Sequence, residues 1–134
     1  MNRRDFVALA AGVTLMPFTA SKADWVDYTP TLLQTAIDNG DRIILDFYAT
    51  WCGTCARQQR VMDQLRRENA AYDQNLTLIH VDWDTYRNSS LVTQYNVPRR
   101  STIIALKGNV ELGRTIAGTS VTDIQALFDA ALNA

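Results

Sequence analysis

Histidine and cysteine, the side chains that most often form structural zinc sites, are scarce in this sequence. Its 134 residues include one histidine, His80, and two cysteines, Cys52 and Cys55. A structural zinc site needs about four ligands, so these three side chains fall short of one. An excess of basic residues is also missing, since the formal net charge is −1. No charge pattern therefore points to a nucleic acid partner.

Long apolar segments and internal repeats are missing as well. The apolar run at residues 7–20 is too short to anchor the chain stably across a membrane, and Pro17 interrupts it. No linker or low-complexity segment divides the chain, and its length suits one domain with a modest core.

The first 23 residues predict an export signal. Residues 2–7 (NRRDFV) are similar to the twin-arginine export consensus, and the weakly apolar run follows them. Ser21 and Ala23 place small residues at both positions that signal peptidase reads. We therefore expect cleavage after Ala23 and a periplasmic domain at residues 24–134. The alternative is an uncleaved N-terminal helix.

The most informative segment is residues 51–55 (WCGTC), which contains both cysteines. It follows an apolar run at residues 43–48, and this context predicts a strand, a tight loop and the start of a helix. Unpaired N–H groups and the helix dipole favour a thiolate there. A structural disulfide is the alternative, but so short a loop gains little stability from a bridge. The pattern therefore favours a redox pair.

Residues 44–55 (ILDFYATWCGTC) resemble the active-site strand and loop of the thioredoxin family. The similarity covers about residues 25–132, including residues 95–107, which resemble the stretch through the family's cis-proline loop, and Gly118. It implies an α/β thioredoxin fold, in which helices flank a central mixed sheet of about four strands. It also implies a thiol–disulfide oxidoreductase.

The expected elements follow from capping signals and from apolar periodicity. A helix should start at Thr29-Pro30 and end at Asn39-Gly40, and another should follow the cap Ser120 with Val121, Ile124, Phe128 and Ala131 inward. Further helices are predicted at residues 53–72 and 88–95, and strands at residues 42–48, 76–82, 102–106 and 110–114. By resemblance, the first two strands are parallel and the last two form an antiparallel hairpin.

The resemblance implies that Cys52 attacks the substrate and that a buried Cys55 resolves the mixed disulfide. Trp51 should lie beside Cys52 on the exposed side. Gly53 and Thr54 supply no charge that would strongly stabilise a Cys52 thiolate. Strong oxidants of this superfamily have a stabilised reduced form, so this loop favours a reductant.

Asp46 matches the family's buried acid, which accepts the proton of the buried thiol. Its alternation with Ile44 and Tyr48 places it on one face of an apolar strand, where burial should raise its pKa. His80 falls where the family has a lysine close to this acid, so its imidazole could relay protons. A purely structural histidine is the alternative.

Ser101 departs from the family, which has a cis-proline there before the threonine that matches Thr102. A cis bond before a non-proline residue costs about 2.5–4 kcal/mol, so we expect a trans Arg100–Ser101 bond and a reshaped loop. Loss of the proline ring could open the thiols to metal. Arg99 and Arg100 could bring positive charge to Cys52 and favour an acidic partner.

The resemblance implies protein disulfide substrates, electrons from a membrane-embedded thiol reductase, no cofactor, no bound metal and a monomeric protein. Clients in cytochrome c maturation or sulfur metabolism would suit it. Two rival functions remain at this point. One is a disulfide oxidase or isomerase, and the other is a metal-binding module or metallochaperone using Cys52 and Cys55 with His80.

Overall fold

A computed structural model describes residues 24–134. The predicted export signal in residues 1–23 lies outside the described residues. The elements are, in chain order, β1 (Val26–Asp27), α1 (Pro30–Asp38), β2 (Arg42–Tyr48), α2 (Gly53–Glu68), α3 (Ala70–Asn75), β3 (Leu76–Asp82), α4 (Trp83–Tyr86), α5 (Ser90–Gln94), β4 (Thr102–Lys107), β5 (Val110–Ile116) and α6 (Val121–Leu132).

One mixed sheet organises the domain, with its strands in the order β1-β3-β2-β4-β5. Strand β2 runs parallel to β3, and β4 and β5 are antiparallel, both as predicted. Strand β2 also pairs antiparallel with β4. The sheet has five strands because β1, only two residues long, pairs with β3 at its outer edge. So short a strand carries no periodicity that the sequence could reveal.

The apolar run of β2 is buried on both faces, which explains why it does not alternate with polar residues. Phe47 belongs to one core layer, together with Leu33 of α1. Ile44 belongs to the other layer, together with Met62 of α2 and Phe128 of α6. Two packed layers therefore fix the carboxyl end of β2, from which the cysteine loop emerges.

The prediction of one helix at residues 53–72 is wrong. Helix α2 ends at Glu68, and Asn69 is extended, with φ −142° and ψ 102°. The Asn69 side chain accepts a hydrogen bond from the Ala71 N–H and so caps α3. Asparagine favours the N-cap position over a helix interior, which explains the break.

The prediction of a helix at residues 88–95 is also wrong in its bounds. Asp82 caps the short helix α4 through the Asp84 N–H, and α5 begins only at Ser90. In α6 the predicted Ser120 cap is confirmed by its bond to the Asp123 N–H. Val121 is exposed, however, and Leu127 is buried in α6.

Candidate active site

The two cysteines lie where the loop after β2 enters α2. They form a disulfide, and their Cα atoms are 5.2 Å apart. Cys52 is the N-cap residue, and its Sγ accepts a hydrogen bond from the Cys55 N–H at 3.1 Å. Cys52 is less exposed than predicted, since it is buried like Cys55, and the Ser101 hydroxyl lies against both sulfurs.

Trp51 forms an exposed rim beside the disulfide, as predicted, with 59% of its surface accessible. Its Nε1 donates to the Asp84 carboxylate at 2.8 Å. The Arg100 guanidinium lies 4.5 Å from the centre of the indole ring, a cation–π distance. Gly53 and Thr54 form the first turn of α2 and bring no charge. Arg100 therefore supplies positive charge at the rim.

Ser101 faces the disulfide from the loop before β4. Its hydroxyl lies 3.3 Å from Cys52 Sγ and 3.1 Å from Cys55 Sγ. The prediction of a trans bond before Ser101 is confirmed, because residues 24–134 contain no cis peptide bond. Ser101 has a φ of 68°, in the left-handed region. The next residue, Thr102, closes the loop by donating from its hydroxyl to the Arg99 carbonyl at 2.7 Å.

Gln58 supports this loop, and the sequence reading missed it. The side chain is fully buried, and its Nε2 donates to the carbonyls of Ser101 and Gly118, both at 2.9 Å. Gln58 lies three residues after Cys55, on the inward face of α2. Residues three apart on a helix share a face, so Gln58 lies on the same face as the buried Cys55. That spacing is the sequence signal that could have indicated a buried polar contact.

Asp46 and His80 come together on neighbouring strands, as predicted. They are register partners on β2 and β3, and Asp46 Oδ2 lies 3.4 Å from His80 Nε2. Burial raises the pKa of the Asp46 carboxyl above its usual range, and the contact with His80 opposes part of that rise. Its Oδ1 is buried without a hydrogen-bond partner. This carboxyl is therefore poised to hold a proton.

His80 links that buried acid to the surroundings of the cysteines. Its Nε2 also lies 2.8 Å from Gln59 Oε1. The imidazole stacks on the Trp25 ring at a centroid distance of 4.1 Å, and the Tyr48 ring is 5.0 Å away. Trp25 and Gln59 were not predicted as site residues. Trp25 directly precedes β1, so the unpredicted strand is what brings its ring to His80.

A cleft of about 260 Å³ joins these parts. Cys52, Cys55, Gln59 and His80 all line it. Within residues 24–134, no group of three or more His, Cys, Asp or Glu side chains is arranged to hold a metal ion. The arrangement suits thiol chemistry, because it combines a sulfur pair at a helix start with His80 in the same cleft and the buried Asp46 carboxyl against His80.

Comparison with known proteins agrees with this geometry. The thioredoxin family model matches residues 24–130. The chain belongs to the thioredoxin family. Together with the Cys52–Cys55 pair, this membership makes it a thiol–disulfide oxidoreductase of the thioredoxin type. The family acts on protein disulfides.

Two curated thioredoxins illustrate the similarity. Thioredoxin 2 of Plasmodium falciparum (isolate 3D7) is 36% identical over 64% of this chain, but the match spans only 52% of that protein. Thioredoxin of Echinococcus granulosus is 29% identical over 73% of this chain and 85% of its own length.

Solved structures agree on the fold. The crystal structure of Trxlp from Edwardsiella tarda EIB202 has a TM-score of 0.67 and 29% identity, and the match covers 79% of this chain and 96% of that one. The thioredoxin fold predicted from the sequence is confirmed. In the part of the chain that the structure covers, no helix has the length and apolar character needed to cross a membrane.

Proposed function

We propose that this protein is an exported reductant of protein disulfides. The observation that carries the proposal is the position of Cys52 Sγ at the N-cap of α2, where it accepts the Cys55 N–H. A negatively charged sulfur gains more from this position than a neutral one. Cys52 is therefore the attacking thiolate, and Cys55, one turn further on, is the resolving thiol.

The reaction transfers two electrons to the client. The Cys52 thiolate attacks a client disulfide, so that a bond forms between Cys52 and one client sulfur while the other sulfur leaves as a thiolate. Cys55 then gives up its proton and attacks Cys52 Sγ. This step releases the second client thiolate and closes the Cys52–Cys55 disulfide.

Asp46 accepts the proton of Cys55 in this mechanism. Burial raises the pKa of Asp46, which brings its proton affinity closer to that of a thiol. His80 touches Asp46 and lines the cleft with both cysteines, so it relays the proton towards solvent.

The loop composition supports a reducing direction. Gly53 and Thr54 leave the Cys52 thiolate without a charged neighbour inside the loop, and Arg100 lies over Trp51 at the rim. We expect a potential between about −270 and −180 mV, the range from thioredoxin to protein disulfide isomerase. Equilibration with glutathione measures it. A value near about −120 mV would make the protein an oxidant.

Export and the electron source complete the proposal. Residues 2–7 support a twin-arginine signal, and a periplasmic reductant needs electrons from across the membrane. A membrane-embedded thiol reductase supplies them, and the protein acts as a monomer.

Ser101 takes the place of the family's cis-proline. Its position before Thr102 and its contact with both sulfurs support this interpretation. Arg100 at the rim favours clients with an acidic surface.

Trapping separates the two cysteine roles. We expect Cys55→Ser to accumulate mixed disulfides with clients, because the resolving thiol is gone, whereas Cys52→Ser forms none. Non-reducing electrophoresis of each variant after exposure to a disulfide substrate provides the measurement. Insulin reduction by Cys52→Ser would contradict the assignment.

A further inference from the structure

The Ser101 hydroxyl has an unusual environment. Both sulfurs of the redox pair lie within hydrogen-bond distance of its oxygen, at 3.3 Å for Cys52 and 3.1 Å for Cys55. Among the described residues, these sulfurs are its only hydrogen-bond partners. Ser101 is fully buried, so little water competes for the hydroxyl hydrogen. A hydrogen bond in such surroundings is stronger than the same bond in water.

The backbone holds this hydroxyl in place. The Ser101 N–H donates to the Phe47 carbonyl at 2.7 Å, and its own carbonyl accepts from Ala117 N–H at 2.8 Å and from Gln58 Nε2 at 2.9 Å. With all of its backbone groups engaged, Ser101 keeps a left-handed φ of 68° that serine rarely adopts. Backbone strain of this kind concentrates at functional sites.

We propose that Ser101 is a catalytic residue whose hydroxyl donates its single hydrogen bond to whichever sulfur carries negative charge. A disulfide sulfur is a weak acceptor, whereas a thiolate is a strong one. In the reduced protein the acceptor is Cys52. During resolution it is the thiolate that forms on Cys55. The inference rests on the proposed roles of the two cysteines, but not on the client or the compartment.

The hydroxyl gains and loses no proton in these steps. When Cys52 bonds to the client sulfur it loses its charge, and the hydroxyl can turn to Cys55 because both sulfurs are within reach. The proton that leaves Cys55 goes to Asp46, and the electron pair of Cys55 forms the new bond to Cys52. Ser101 therefore stabilises charge in both halves of the reaction.

Removing the hydroxyl tests the inference. In Ser101→Ala and Ser101→Gly we expect the ionisation constant of Cys52 to fall about tenfold, the size of one hydrogen bond to a charged group. Thiolate absorbance against pH measures it. At a pH well above the Cys52 pKa of both wild type and variant, the equilibrium with glutathione should move about tenfold towards the disulfide, which is about 30 mV.

The pH profile and a matched variant separate this role from a structural one. The difference in the glutathione equilibrium should shrink below the Cys52 pKa, because a neutral thiol is a poor acceptor. The ionisable groups around the sulfurs are left in place: Tyr48 and His80 line the same cleft, Asp46 touches His80, and Arg100 and Asp84 contact Trp51. Ser89→Ala removes another buried serine hydroxyl, one without a partner, and should change neither quantity.

Three results would overturn the inference. The first is an unchanged Cys52 pKa in both Ser101 variants. The second is a shift in only one of the two variants. Glycine tolerates the positive φ at this position and alanine does not, so a difference between them would show that the backbone, and not the lost hydroxyl, causes the shift. The third is an equal shift in Ser89→Ala. An oxidising potential in the wild type would refute the proposed reductant while leaving the Ser101 shift intact.

Discussion

At the scale of single residues, this protein places two polar side chains where polar groups are costly. Asp46 is buried with one carboxylate oxygen unpartnered, and Gln58 is buried with its Oε1 unpartnered. An unsatisfied buried polar atom costs about 1–3 kcal/mol. Asp46 touches His80, which lines the cleft with both cysteines, and Gln58 holds the Ser101 carbonyl, so these costs fall next to the residues around the disulfide.

Replacing Asp46 by asparagine should slow resolution of the mixed disulfide about 100-fold near neutral pH, the contribution of a positioned general base. The first attack by Cys52 should change less. His80→Gln should have a smaller effect of the same kind, because in the proposed mechanism His80 acts through Asp46. Rapid-mixing single-turnover reduction separates the two steps. Equal resolution rates for wild type and Asp46→Asn would remove the carboxylate from the mechanism.

Asp46 also makes stability depend on pH. Because its pKa is raised in the folded protein, the folded state holds this proton more tightly than the unfolded chain does. The contribution of Asp46 to stability is therefore fully present below the usual aspartate pKa of about 3.9 and is lost as pH rises through the folded value.

Asparagine does not titrate. The gain in free energy of unfolding from Asp46→Asn should therefore grow as pH rises from the usual aspartate pKa to the raised pKa of Asp46 in the folded protein, and then level off. Urea unfolding at a series of pH values measures this difference. If the difference in unfolding free energy between wild type and Asp46→Asn did not change with pH, burial would not disfavour the ionised form of Asp46.

At the scale of elements, local signals in the sequence predicted much of the structure. The Thr29 and Ser120 caps and the apolar run of β2 were read correctly because each depends on residues close in the chain. The Asp46–His80 pair was also anticipated, through the resemblance to thioredoxins.

Contacts between distant segments were not predictable in the same way. The resemblance placed Ser101 next to the thiols, but the contacts of its hydroxyl with two sulfurs 46 and 49 residues away were not predicted, because no local pattern encodes them. The same holds for Trp25, whose ring reaches His80 only because β1 joins the sheet. Asn69 shows the opposite failure, since a local capping signal was present and was overlooked.

The two serine N-cap positions provide a matched comparison of helix capping. Ser120 accepts a hydrogen bond from the Asp123 N–H, whereas Ser89 makes no side-chain cap bond to α5. Ser120→Ala should therefore lower the free energy of unfolding by about 1 kcal/mol, and Ser89→Ala by much less. Chemical denaturation of the two variants measures both. Equal losses would show that the α6 cap bond contributes nothing.

At the scale of the whole molecule, the proposal to be tested is that the protein is exported to the periplasm. Residues 2–7 are similar to the twin-arginine export consensus. The proposal of twin-arginine export predicts that replacing Arg3 and Arg4 by lysine blocks export although the charge is kept, because lysine has no guanidinium group. The measurement is the amount of protein in the periplasmic fraction. Unchanged export of the double variant would indicate the general secretory route instead.

The stacking of Trp25 on His80 should affect the tryptophan fluorescence of the protein. The rings lie parallel within 2°, and an excited indole transfers an electron readily to a protonated imidazole. Trp25 emission should therefore dim when His80 gains a proton. With Trp51 and Trp83 replaced by phenylalanine, Trp25 would be the sole tryptophan. The proposed proton relay through His80 would then be visible as a change in fluorescence, in real time and without any added dye.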